Sequence, residues 1–298
     1  MKFDTETELP DNLYDKITIV IVLYEEEFEL INQCLEGIKN FNIIIIDNAA
    51  NKKLKKEIQK KFNILNYILN SKNVGYSKAV NQGINLCVTE YVFVFAADGV
   101  ISIENIDILI NAHKKYDNCL LVSPTYYDLN SKLTLNGGTL PEKNLGNRVI
   151  QLEGDICVDN IVTAAYLFKK KDMIDIGFFD ENFFIYFLDN DFGRKAISQK
   201  KSIIQVFESK AIHSHGSLKV KNFFKKIFIR NYYFTLDELY YYFKINEHHK
   251  MLNKLEKKIP NYLIKSLLNI FILRFDKTIR YFALVLAFFK FKKFLKNN

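Results

Sequence analysis

Residues 177–216 (GFFDENFFIYFLDNDFGRKAISQKKSIIQVFESKAIHSHG) hold most of the groups that could do chemistry. The acids Asp180, Glu181, Asp189 and Asp191 sit among Phe183, Phe184, Tyr186 and Phe187, and Arg194, His213 and His215 follow. Aromatics at that density seek burial and would carry Asp189 and Asp191 to the rim of a partly desolvated cleft. A carboxylate there can have its pKa raised and serve as a general base or a metal ligand. The plainer reading is that these acids cap a helix starting near Asp189, because Asp favours helix N-termini. On this segment alone both readings stay open.

The elements that would position these groups are legible as short apolar runs. Residues 17–24 (ITIVIVLY), 43–46, 64–69, 91–95 (YVFVF) and 120–122 lack polar alternation, which predicts strands buried on both faces. Helical patterns over 28–39, 52–62, 76–86 and 103–116 separate them. The alternation predicts an α/β fold with a mostly parallel, Rossmann-like sheet flanked by helices. Ligands then bind at the carboxyl ends of the strands, where Tyr24, Glu25, Asp47, Asn48 and Asp98 stand. The lysines between Lys52 and Lys61 read as one solvated helix face. Residues 126–135 predict a hairpin, and Asn136-Gly137-Gly138 a turn. Residues 155–168 predict a strand followed by a small-residue stretch that lets backbone approach a ligand, and 202–207 another strand.

A chain of 298 residues, 49% hydrophobic and 26% charged, can bury a large core, which excludes global disorder. The four cysteines form no CxxC pair, which argues against a zinc ribbon or a disulfide framework and suits a reducing cytoplasm. The first sixteen residues are polar and acidic, unlike a signal peptide. Residues 219–298 carry 18 Lys and Arg against 5 acids and 19 of the 43 aromatics. The expected organisation is a tail (1–16), a catalytic domain (17–218) and a basic, aromatic, helical C-terminal region (219–298). The longest uncharged apolar run there, residues 281–289, is too short to span a bilayer, which takes about 20 residues. An interfacial amphipathic helix is one reading. The other is that this surface packs on the catalytic domain or on a second copy in a homodimer.

Four stretches, in order, resemble the family 2 glycosyltransferases of the GT-A fold, and in particular a rhamnosyltransferase-like branch. They are residues 17–25, 73–84 (NVGYSKAVNQGI, similar to NxGfaxaxNxGi), 93–98 (FVFAAD, similar to the strand leading to a DxD position) and 159–216. The last contains GxFDExFFxYxxDxD and the closing HxxG, and Arg230-Asn231 is similar to that branch's RN segment. The resemblance implies a nucleoside-diphosphate sugar donor, with dTDP-rhamnose as a candidate, and a lipid-linked or glycan acceptor in bacterial surface polysaccharide synthesis. It implies Mg2+ or Mn2+ held by Asp98 and His213, with His215 a secondary neighbour. Asp98 is the only acid left of the DxD motif, which here reads Ala96-Ala97-Asp98. Asp189 takes the base position, although Leu188 stands where the family has Glu, and Asp191 orients it or contacts the acceptor. One base on one face implies inversion at the anomeric carbon. Tyr24, Asp47, Asn73 and Gly75 would contact the nucleobase and ribose, and Lys78 and Asn81 would face the donor. Arg194 would pair with Asp191 or a phosphate. The implied location is the cytoplasmic face of the plasma membrane, reached through the C-terminal region, with no nucleic-acid partner.

Two other classes compete. A doubly wound oxidoreductase would carry GxGxxG after the first strand, and none is present. A degenerate, non-catalytic nucleotide-sugar binder or scaffold at the membrane would explain the departures at Ala96, Ala97 and Leu188.

Overall fold

The structure, a computed structural model, describes residues 13–134, 137–143, 153–213 and 220–297. Asn136, His215 and Gly216 lie outside the described residues, as does most of the N-terminal tail. Two compact units emerge. One comprises Met1–Asp180 with Asp189–Ser217, the other Glu181–Leu188 with Leu218–Asn298.

In the first unit the strands are β1 (Ile17–Leu23), β2 (Asn42–Asp47), β3 (Asn66–Leu69), β4 (Tyr91–Phe95), β5 (Gly99–Ile101), β6 (Cys119–Tyr127), β7 (Ile156–Val158), β8 (Ala165–Lys169) and β9 (Ser202–His213). The helices are α1 (Leu13–Lys16), α2 (Phe28–Glu36), α3 (Lys52–Lys61), α4 (Tyr76–Leu86), α5 (Ile103–Lys115), α6 (Lys170–Ile176) and α7 (Leu188–Ser198). The strands form one sheet in the order β3-β2-β1-β4-β8-β6-β9-β5, with β7 on β9. Pairings β1·β2, β1·β4, β2·β3 and β6·β9 are parallel. Pairings β4·β8, β6·β8, β5·β9 and β7·β9 are antiparallel.

The continuous apolar strands are buried on both faces, as their sequence requires. Ile17, Ile19, Ile21, Ile43 and Ile45 join a core with Ile31, Leu35, Leu54 and Ile58 from α2 and α3. Val20 faces α4, so tightly that a Cβ on Gly83 would come within 2.3 Å of its Cγ1. Strand order runs one way from β1 to β3 and then reverses to β4. That reversal opens a crevice at the carboxyl ends of β1 and β4. In α3, Leu54 and Ile58 are buried and most of the lysines are exposed, as one solvated face requires.

Two expectations change. Residues 155–168 form the short strand β7, and the small-residue stretch expected after it runs into a second strand, β8. The strand expected at 202–207 runs on to His213, because the buried polar side chains that interrupt its pattern find partners in the elements packed against it, the loop at Gly137 and α5. Gln205 accepts the Gly137 N–H at 2.8 Å, and Ser209 donates to the Asn105 carbonyl at 2.8 Å. The hairpin expected at 126–135 is present as a short one over the described residues 126–134, with Tyr127 bridged to Leu133, the Asp128 N–H donating to the Lys132 carbonyl and the Thr134 N–H to the Tyr126 carbonyl, around a turn in which Asp128 accepts the Asn130 and Lys132 N–H groups.

The second unit contains α8 (Phe223–Lys244), α9 (His248–Glu256), α10 (Ile259–Phe271) and α11 (Phe275–Asn297). Leu239, Leu252, Ile259, Val285, Phe288 and Phe291 form its core. Among the described residues no helix is long and apolar enough to cross a membrane. The segment Glu181–Leu188 belongs to this unit through ring contacts, with Phe184 stacked on Tyr233 at 3.6 Å and Phe183 edge-on to Tyr240. Asp237, 1% exposed, fixes the segment's backbone by accepting the N–H groups of Phe184, Ile185 and Tyr186 at 2.9–3.2 Å. Burial raises its carboxyl to about 6 against the pull of those three donors, so the carboxylate prevails at neutral pH. Asp237→Ala strands three partly buried N–H groups and is expected to cost this unit about 3 kcal/mol. Chemical denaturation followed by circular dichroism checks this, and a change within about 1 kcal/mol would contradict it.

Candidate active site

The crevice collects groups from four elements. After β4 the chain turns through Ala96-Ala97-Asp98 into β5, and the Gly99 N–H closes the turn on the Ala96 carbonyl at 3.0 Å. The antiparallel register of β5 and β9 sets Gly99 opposite His213. Asp98 thereby meets a histidine 115 positions away, with Oδ1 3.1 Å from His213 Nε2 and both side chains largely buried. Tyr126 lies edge-on to the imidazole.

Glu26 completes this side of the crevice. Its carboxylate accepts the Tyr24 N–H, and it follows Glu25, whose φ of 67° is strained for a side-chain-bearing residue. Burial raises the Glu26 carboxyl to about 7. The backbone N–H groups of Glu26 and Tyr24 pull it down, and the charges of Asp98 and Asp47 push it further up. The folded state therefore holds the proton more tightly than the unfolded chain. Stability from this group is present below pH 4.5 and is lost as pH rises toward 7. Glu26→Gln is expected to stabilise the protein by about 3 kcal/mol at pH 8 and by little at pH 4. Melting curves at both pH values check this, and equal shifts would contradict it.

Asp47 is buried, and its oxygens accept the Ala49 N–H (2.7 Å), the Asn51 N–H (3.0 Å) and the Tyr67 hydroxyl (3.2 Å). These bonds shape the turn from β2 into α3. Beside it the buried Asn48 donates to the Gly75 carbonyl at 3.2 Å and accepts from Asn70 at 2.9 Å. Asn73 accepts the Gly75 N–H at 2.9 Å, and Gly75 takes φ 89°, which a side chain would strain, to start α4 without a side-chain cap. That N-terminus, with Lys78 exposed in its first turn, presents N–H groups to an anion. Asn81 corrects an expectation. It is buried, with its amide clamped on the Phe179 backbone, donating at 2.9 Å and accepting at 3.3 Å, so it ties α4 to the 177–180 loop rather than facing a ligand.

Asp189 and Asp191 lie in the first turn of α7. Residues two apart on a helix point in different directions. Asp189 is half-buried, while Asp191 is 4% exposed. Asp191 therefore offers little surface to an acceptor. Asn190 reaches toward Asp189 at 3.4 Å and accepts a hydrogen bond from Asn160. Arg194 pairs with Glu142.

Gly193 is what brings α7 this close to the 159–160 backbone. A Cβ there would lie 2.0 Å from the Asp159 carbonyl oxygen. Backbone cannot yield as a flexible side chain can, so Gly193→Ala is expected to cost about 3 kcal/mol. Thermal melts check it, and an unchanged melting temperature would contradict the packing. Sequence reading missed Glu26, Asn160, Asn190 and Gly193. Glu26 is one of three consecutive glutamates, and the other three make contacts that only the fold supplies.

Residues 18–172 match the family model described as Glycosyl transferase family 2. The chain is similar to the low-salt glycan biosynthesis hexosyltransferase Agl10 of Haloferax volcanii, with 24% identity over 225 residues, covering 71% of each chain. Its fold is similar to the crystal structure of GalNAc-T7 with UDP, GalNAc and Mn2+, with TM-score 0.57, 13% identity and 76% of this chain covered. The chain spans about half the length of that solved protein. The sheet order and this likeness make the fold GT-A.

Proposed function

Because the chain belongs to glycosyl transferase family 2, we propose that it is an inverting glycosyltransferase moving a sugar from a nucleoside-diphosphate donor to a hydroxyl of a lipid-linked or glycan acceptor. The observation that carries this reading is the Asp98–His213 pair at the point where strand order reverses. Asp98 Oδ1 and His213 Nε2 stand 3.1 Å apart, a carboxylate oxygen and an imidazole nitrogen of the kinds such ions accept, and among the described residues no group of three potential ligands forms around them. Asp98 and His213 would hold Mg2+ or Mn2+. Such an ion supplies charge neutralisation to a departing diphosphate.

In this reading the uncapped N-terminus of α4, with Asn73, Gly75 and Lys78, and the Tyr24 side chain receive the donor. Asp47 acts on it indirectly, through the turn it holds. Asp189 takes the proton of the acceptor hydroxyl as the glycosidic bond forms, and Asp191 fixes the turn that carries it. A single displacement follows, with inversion at the anomeric carbon.

The exposed apolar surface of the second unit supports a peripheral place at the cytoplasmic membrane face. The inner side of 281–289 is buried within α11, whereas α10 is reversed. Its polar Ser266 and Asn269 are buried, and Leu267 and Phe271 are 61% and 83% exposed. A helix with its apolar face outward suits a lipid interface edged by lysines.

The test is release of nucleoside diphosphate from a panel of nucleotide sugars, dTDP-rhamnose first, with Mn2+ and with chelator. Metal-dependent release with one donor, and a product of inverted anomeric configuration by NMR, is expected. Retention of configuration would refute the single displacement, and no release from folded protein would refute the activity.

A further inference from the structure

The second unit contains a cavity of about 460 Å3 among α8, α9, α10 and α11. Four cations line it: Arg230 from α8, Lys254 from α9, Lys258 at the start of α10 and Arg280 from α11. None of the four is held in an ion pair among the described residues. Among the described residues Glu238 is the one acid on the wall, and burial raises its carboxyl while Lys254 pulls it down. The remaining wall is largely apolar, with Leu239, Met251 and Leu284. Four cations against one acid over an apolar floor match a dianionic headgroup attached to a hydrocarbon chain. Tyr262, at the edge of the same cavity, belongs to α10, whose outward face is apolar at Leu263, Leu267 and Phe271 and continues into the exposed Ile272 and Leu273.

We propose that this groove is a binding site for the phosphate or diphosphate headgroup of a membrane lipid whose chain lies along the exposed face of α10. The inference rests on the membrane-facing reading of α10 given above and adds a specific headgroup site to it. A lipid-borne phosphate is favoured over a free one because the cations and the outward apolar helix adjoin. It is favoured over a second copy of the chain because the rim is basic, and two basic rims repel.

Co-sedimentation of the full chain with phosphatidylcholine vesicles, with and without a minor fraction of phosphatidic acid, tests it. Four proteins are compared: wild type, the groove variant Arg230→Gln/Lys258→Gln/Arg280→Gln, a charge-matched control Lys250→Gln/Lys290→Gln/Lys293→Gln, and the face variant Leu267→Ser/Phe271→Ser. Circular dichroism melts confirm that each is folded. Wild type is expected to bind phosphatidic acid vesicles, the groove variant at least about tenfold more weakly, and the control within about twofold of wild type. The face variant is expected to lose binding to both vesicle types. Inorganic pyrophosphate should displace wild type from the phosphatidic acid vesicles, a readout that needs no substitution.

Equal loss in groove and control variants, or indifference of wild type to phosphatidic acid, would overturn the headgroup site and leave the membrane reading standing. Wild type that pellets with no vesicle would overturn the membrane reading. Pyrophosphate binding by calorimetry in that case would mark a site for a free anion, against the proposal. Self-association that the face variant abolishes, with no vesicle binding, would assign the face to a second copy and likewise overturn it.

Discussion

Asp189→Asn is expected to lower kcat for sugar transfer by about 10²–10⁴-fold and to leave donor affinity within about twofold. An acceptor hydroxyl has a pKa far above neutral, so the bond cannot form at a useful rate unless a group removes the proton as it forms. Asp189 is the acid of α7 that reaches the surface, because the helix turns Asp191 inward. Asn keeps the shape, the side-chain oxygen beside Asn190 and the helix-start preference, and loses only the basic lone pair. Stability should therefore be nearly unchanged, which separates this variant from Gly193→Ala. Steady-state kinetics with donor binding by calorimetry decide the matter. Turnover within about tenfold of wild type would remove Asp189 from the base role.

The second large effect belongs to the Asp98–His213 pair. Asp98→Ala and His213→Ala are each expected to lower kcat/KM by about 10²-fold or more, and to remove most of the gain in donor affinity that Mn2+ gives wild type. The reason is the departing diphosphate, whose negative charge grows as the bond to the sugar breaks. A half-buried crevice already holding Glu26 and Asp47 is a poor place for further negative charge unless a cation offsets it. If the two side chains act on one ion, the double variant should be little worse than either single one. Additive losses, or donor binding that ignores Mn2+ in wild type, would contradict a shared metal role.

Much of this was legible before the fold was known, and the boundary is physical. β1, β2 and β4 could be read because strands buried on both faces are written as unbroken apolar runs. β5, three residues long, has no period to read, yet its pairing with β9 is what sets Asp98 against His213. Those two residues were named from a resemblance, and local pattern alone would have left them 115 positions apart. Asn81 was misread because an exposed and a buried Asn look alike in a helix until the 177–180 loop is in place. In the second unit the basic, aromatic character was plain, but which helix turns most of its apolar face outward was not, and that helix is α10. Hydropathy reports how much apolar surface a helix has, and only packing decides which side is covered.

The most direct test of the central claim is a thermal-shift titration of the full chain with nucleoside diphosphates and their sugars, with and without Mn2+, run on wild type and Asp98→Ala. A ligand that binds only the native state raises the melting temperature by mass action, about 2.7 kcal/mol of stabilisation at a hundredfold excess over Kd. The account predicts a clear rise with one nucleotide type in wild type, enlarged by Mn2+ and with that enlargement lost in Asp98→Ala. Folded wild-type protein that shifts with none of these ligands would contradict it.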